Sequence, residues 1–213
     1  MKMKRSILAS VTVAFVLGGW VASVKADDLF SPPWLRFEPD TTYQAWDFET
    51  IANPSGPTGY YYNLYGTPSA VINGGVWSQT YDGHVGIWTL DPSNSAALFI
   101  PNTPYDDTKW KDVWTQVTWD PDYVNQPAPV VMVNGVASGP ITTTQVGNTS
   151  WLLSVYVTHL PFNPSSEEII ITDVGTYDLG QVVVDTQCVP EPSSLALLAL
   201  GAMSLLSYAS RKR

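Results

Sequence analysis

The stretch DVWTQVTW, residues 112–119, decides the fold class. Its β-branched and aromatic residues alternate with a period of two, the repeat of a strand and not of a helix. Val113, Thr115, Val117 and Trp119 fall on one side, Trp114, Gln116 and Thr118 on the other. The first side is apolar enough to meet a core, so Trp119 is expected inside and Trp114 outside it. A second run, WLLSVYVTH at 151–159, alternates in the same way. Leu153, Val155 and Val157 share a face that ends at His159, expected to be a strand-end residue. Leu152, Ser154, Tyr156 and Thr158 make a mixed face expected to look toward solvent.

Working outward, comparable runs lie at 42–48, 69–72, 86–90, 97–100, 130–133, 168–172 and 181–185. Turn chemistry separates them: Asn53-Pro54, Asn73-Gly74-Gly75, Asp82-Gly83, Asp91-Pro92, Asp120-Pro121, Asn134-Gly135 and Asn163-Pro164. Each supplies a positive φ or a preset one, and so interrupts a strand. Short strands at this spacing, with almost no helical periodicity, predict an all-β fold. The architecture expected is a two-sheet antiparallel sandwich, jelly-roll-like, with Trp46, Phe48, Val113, Val117 and Trp119 in its core.

The two ends read differently. Lys2, Lys4 and Arg5 precede an apolar run from Ile7 to Val21, and Val24-Lys25-Ala26 suits a cleavage site. Residues 1–26 are therefore expected to be a secretory signal peptide, and 27–187 the exported domain. At the other end, residues 188–213 read CVPEPSSLALLALGAMSLLSYASRKR. Pro190 and Pro192 flank Glu191, which predicts an extended segment outside any sheet. An uncharged, leucine-rich stretch follows, at the short end of the length that spans a bilayer as a transmembrane helix. Arg211, Lys212 and Arg213 then act as stop-transfer cations, held on the cytoplasmic side.

Motif, apolar helix and basic cluster in this order resemble the PEP-CTERM sorting signal of Gram-negative, exopolysaccharide-producing bacteria. The resemblance covers the tail alone. It implies an exosortase, a membrane-embedded cysteine protease-transpeptidase, as partner, with Pro190, Glu191 and Pro192 as the sorting motif. It also implies an inner-membrane intermediate held through the C-terminal helix, then release to the cell surface or extracellular matrix.

Between the ends the charge is one-sided. Residues 27–188 hold three cations (Arg36, Lys109, Lys111) against eighteen acids, a net of −15. Such a surface repels nucleic acid. The single cysteine, Cys188, excludes an internal disulfide and is expected to be a linker residue.

Catalytic chemistry is sparse, and no catalytic residue, metal site or cofactor is assigned. Asp106 with Asp107, Asp120 with Asp122 and Glu167 with Glu168 are adjacent acids, but a glycosidase needs two carboxyls across a sugar, not side by side. Loops bearing these acids are expected to be solvated and not calcium sites, since no ordered ligand loop accompanies them. Neither His84 nor His159 accompanies a nucleophile motif. Aromatic rings remain: Tyr60, Tyr61 and Tyr65 in a Gly/Pro-rich loop, and Trp110 and Trp114 around a charged turn, are candidates for stacking on sugar rings. The function expected is that of an exported, non-catalytic surface or matrix protein, structural or adhesive within exopolysaccharide. The alternatives are a carbohydrate-binding module and, behind it, a glycoside hydrolase.

Overall fold

The computed structural model describes residues 28–172, 174–190 and 200–203, and twelve strands follow one another among them. β1 spans Thr41–Trp46, β2 Ser69–Asn73, β3 Val76–Tyr81 and β4 His84–Leu90. β5 is Ser95–Pro101, β6 Lys109–Pro121, β7 Val130–Val133 and β8 Val136–Ser138. β9 (Pro140–Gln145), β10 (Leu152–Leu160), β11 (Ser166–Thr172) and β12 (Tyr177–Pro190) complete the set. They form two antiparallel sheets, as the alternation predicts. The larger runs β3-β4-β12-β6-β10-β9, with β1 also on β12, and the smaller runs β2-β5-β11-β7-β8. The signal peptide and the transmembrane helix expected from the sequence fall outside the described residues, except that residues 200–203 are helical.

The larger sheet is organised by β12. One side pairs with β6 from Tyr177↔Pro121 to Pro190↔Lys109. The other side pairs first with β4, up to Leu179, and then with β1, from Val182 onward. A bulge at Leu179/Gln181 lets one strand serve two neighbours. Its extra residue is Gly180, where an added Cβ would stand 2.7 Å from the Trp151 ring.

Three strands were absent from the sequence reading. Two-residue hairpins account for two of them, with β3 the first arm of the one at Asp82-Gly83 and β8 the second arm of the one at Asn134-Gly135, and φ is positive at all four turn residues. That conformation matches the twist of paired strands, which is why these dipeptides close hairpins and do not merely end strands. β9 is a threonine-rich edge strand with little apolar content to signal it.

The inner faces meet in one apolar core. Trp46, Val113, Val117, Trp119, Val182 and Val184 come from the larger sheet, and Leu98, Ile100, Val131, Val133, Ile169 and Ile171 from the smaller. The five residues expected in the core, Phe48 included, are all buried there. Trp114 is half-buried on the opposite face.

The faces of β10 are the reverse of those expected. Its mixed face points inward: Tyr156 is fully buried in the core, and Leu152 packs against it. Polar atoms on that face are satisfied, which removes the cost of burial. The Trp119 Nε1 donates to Ser154 Oγ at 3.0 Å, Tyr156 OH donates to the Pro129 carbonyl at 2.6 Å, and Thr158 shares a bond with Ser138 at 2.7 Å. The apolar face turns outward yet is also covered, because Leu153 joins Ile87, Val146 and Trp151 in a second cluster beneath Phe30.

Phe30 belongs to an N-terminal strap across the outer face. Asp185 of β12 is fully buried there and receives Arg36 through two bonds, Nε to Oδ1 at 2.6 Å and Nη2 to Oδ2 at 2.7 Å. Arg36 also binds Asp28 and lies 4.5 Å from the centre of the Tyr43 ring. Gln116 donates to Asp28 at 2.8 Å and accepts from the Phe30 amide at 3.1 Å.

Removing the strap's cation leaves a buried carboxylate alone. Arg36→Gln is expected to cost about 3–5 kcal/mol of unfolding free energy at about pH 8, where Asp185 is ionised. The loss should shrink at about pH 6, because burial raises the Asp185 carboxyl to about 7 and protonation then neutralises it. Denaturant unfolding at the two pH values checks both statements.

Candidate functional site

Pro190, the first proline of the sequence's Pro-Glu-Pro, stands where the chain leaves the sheet. β12 continues through Cys188 and Val189 to Pro190, which pairs with Lys109 at the start of β6. Pro190 is thus extended, as expected, but within a sheet and not outside it. The position tolerates proline because β1 ends its pairing at Gln187, leaving one side of β12 without a strand neighbour. Glu191 and Pro192, and the cations Arg211, Lys212 and Arg213, lie outside the described residues.

Just inside this exit the core becomes polar. Lys111 continues the inward parity of Val113, Val117 and Trp119, and Glu167 that of Ile169 and Ile171 in the facing sheet. Both are fully buried, with Lys111 Nζ 3.2 Å from Glu167 Oε1. Lys111 Nζ donates to Asn102 Oδ1 at 2.9 Å and contacts Cys188 Sγ at 3.4 Å. Asn102 Nδ2 lies 2.8 Å from Glu167 Oε1, 2.6 Å from Asn163 Oδ1 and 2.9 Å from the Pro164 carbonyl. Cys188 Sγ donates to Asn163 Oδ1 at 3.1 Å. Cys188 is therefore a core residue of β12 and not a linker residue: the strand runs on past it, and its side chain fills the space beside Lys111.

Burial governs the charge here. Desolvation raises the Glu167 carboxyl to about 7, against the opposing pull of Lys111. Its second oxygen, Oε2, is buried with no hydrogen-bond partner among the described residues. Glu167 is consequently unlike its neighbour Glu168, which is exposed. Of the other acids, Asp106 accepts from the Thr108 amide and hydroxyl at 2.9 and 2.6 Å, an ordinary turn. Asp120 is held above its usual range by burial, with Asp178 and Asp82 adding repulsion. Among the described residues no group of three or more His, Cys, Asp or Glu is arranged to hold a metal.

The candidate sugar-stacking aromatics are dispersed. Tyr60 and Trp110 are exposed, whereas Tyr61, Tyr65 and Trp114 are half-buried. Trp110 and Trp114 do not bracket a turn; both lie within β6, on its outer face, with Asp112 between them. The continuous pairing of β6 with β12 leaves no room for a turn there. Asp112 pairs with the exposed His159, the penultimate residue of β10, at 2.6 Å. Phe37, not singled out from the sequence, meets Tyr43, Tyr60 and Tyr62 edge-on, with ring centres 5.7 to 5.9 Å apart. The groove bordered by Phe48, Glu49, Pro54 and Pro57 carries one carboxylate and no second charged group among its lining residues.

Residues 189–213 match the PEP-CTERM protein-sorting motif. No curated protein and no solved structure matches the chain.

The two raised carboxyls make stability depend on pH in a defined direction. Glu167 and Asp185 bind a proton more tightly folded than unfolded, so their contribution is full below about pH 4 and is lost as pH rises through about 7. The melting temperature should therefore be higher at about pH 5.5 than at about pH 8.5, and Glu167→Gln should reduce that difference. Thermal scans at constant ionic strength check it, and a melting temperature that climbs with pH would contradict it.

Proposed function

We propose that the chain is an exported, non-catalytic domain that an exosortase sorts and processes. From the membrane it passes to the cell surface or extracellular matrix, where its role is structural or adhesive within exopolysaccharide. The observation that carries this reading is the match of residues 189–213 to the sorting motif, at the point where β12 leaves the sheet. An extended Pro-Glu-Pro segment suits a protease cleft, since extended backbone presents amide groups that a helix conceals. Glu191 adds a charge that a basic pocket can select. The apolar stretch and Arg211, Lys212 and Arg213 would hold the intermediate in the inner membrane until processing.

A matrix protein needs durability more than turnover, and the apolar core shared by the two sheets suits that. Glu167, its carboxyl raised to about 7 by burial, faces Lys111 in the core instead of a cleft. A carbohydrate-binding module is the second reading, favoured by the exposure of Tyr60 and Trp110.

Glu191→Ala in the native host should block processing while leaving the domain folded. The variant should accumulate in the membrane with its tail intact, and the wild type should appear outside at lower mass. Deleting Arg211 to Arg213 should instead release unprocessed protein. A Glu191→Ala protein that reaches the surface with the trimmed mass of the wild type would end the sorting reading.

A further inference from the structure

Three buried groups at the exit end are placed for a reaction with one another. Lys111 carries an amine, Asn102 a carboxamide, and Glu167 a carboxyl that touches both. We propose that Lys111 and Asn102 become joined by a side-chain amide bond, formed by the chain itself, with Glu167 carrying the protons.

In water an amine and a carboxamide do not react, because the amine is protonated and the amide holds its nitrogen. The fold addresses each obstacle. Nζ sits 2.9 Å from Asn102 Oδ1, next to the carbon it must attack, and holding reactants at such a distance replaces a rare encounter by a standing one. Glu167 Oε1, 3.2 Å from Nζ, takes a proton from the ammonium and leaves a neutral amine. The amine's lone pair forms the N–C bond to Asn102 Cγ while the carbonyl pair moves onto Oδ1. Glu167, 2.8 Å from Asn102 Nδ2, returns its proton to that nitrogen. The C–N bond then breaks, its electron pair leaves with ammonia, and the carbonyl re-forms. The new amide nitrogen gives its remaining extra proton to Glu167. One amine and one carboxamide yield one secondary amide and one ammonia, with no oxidant or outside reagent. A carboxyl raised to about 7 both accepts and returns a proton near neutral pH. A bond between Nζ and Cys188 Sγ, the other close pair, would require an oxidant to remove two electrons; the amide does not.

The link would tie the residue that follows β5 to β6, and so one sheet to the other, beside the strand that leaves for the sorting motif. It gives an exported domain with a single cysteine a covalent staple that a disulfide cannot supply. Nothing in it depends on the sorting reading.

Trypsin decides the matter, because Arg36, Lys109 and Lys111 are the only cations between residues 28 and 190. The full chain, recovered from exporting cells and denatured, is digested and its fragments are weighed. If the link is present, Lys111 resists cleavage. The fragment 37–109 then stays joined to the one beginning at Trp110, at their summed mass less one ammonia. Separate fragments, 37–109 and one beginning at Asp112, at full mass would overturn the proposal. The wild-type masses settle this whether or not any variant folds. Glu167→Gln should give separate fragments, and joined ones would remove Glu167 from the reaction. Lys111→Arg should likewise separate, and a link that survives it would place the bond elsewhere.

Discussion

The pairing of β12 with β6 is the constraint on which everything else rests. It runs the length of β12, broken only by the bulge at Gly180, and places β12 inside the larger sheet with β4 and β1 on its far side. Val182 and Val184 feed the core from this strand, Asp185 takes the strap on the opposite face, and Cys188 closes the polar cluster at the exit. The same strand then becomes the first residue of the sorting motif, with no linker between. The fold thus reaches directly to the start of the motif.

The domain's few cations are placed with economy. Arg36 is committed to Asp185 on the outer face and Lys111 to Glu167 between the sheets. Lys109 and Asp40 pair at 3.4 Å near solvent, where such contacts contribute little. The buried pairs contribute differently: forming them costs desolvation, but losing one partner strands a charge. They therefore specify which segment covers the outer face and how the sheets close at the exit. The apolar core supplies most of the favourable free energy.

Much of this was legible in the sequence. The parity of residues 112–119 identified Val113, Val117 and Trp119 as core, and the turn dipeptides separated the strands. The polar cluster was missed by one residue at each of two strands. The alternating runs legible in the sequence start at Asp112 and Glu168, just past Lys111 and Glu167, because a charged side chain reads as a strand's solvent end. Extending the period of two by one step puts both on the core face, and a lysine at core parity in so acidic a domain was the signal available. Other features lay beyond local reading. The inward turn of β10's mixed face depends on Pro129, Ser138 and Trp119, which are distant in sequence and satisfy its hydroxyls. The strap depends on Arg36 reaching Asp185 across nearly the whole domain, and no periodicity encodes that.

If β12 is the spine of the molecule, its amides should open only when the whole domain unfolds. Hydrogen exchange resolved to single residues measures this directly. The backbone amides of Val182, Val183 and Val184 should exchange at the rate set by global unfolding, far more slowly than those of β8 and β9 at the sheet edges. Exchange in β12 as fast as in β8 would contradict the account, since the strand that carries the sorting motif would then be an ornament of the sheet and not its support.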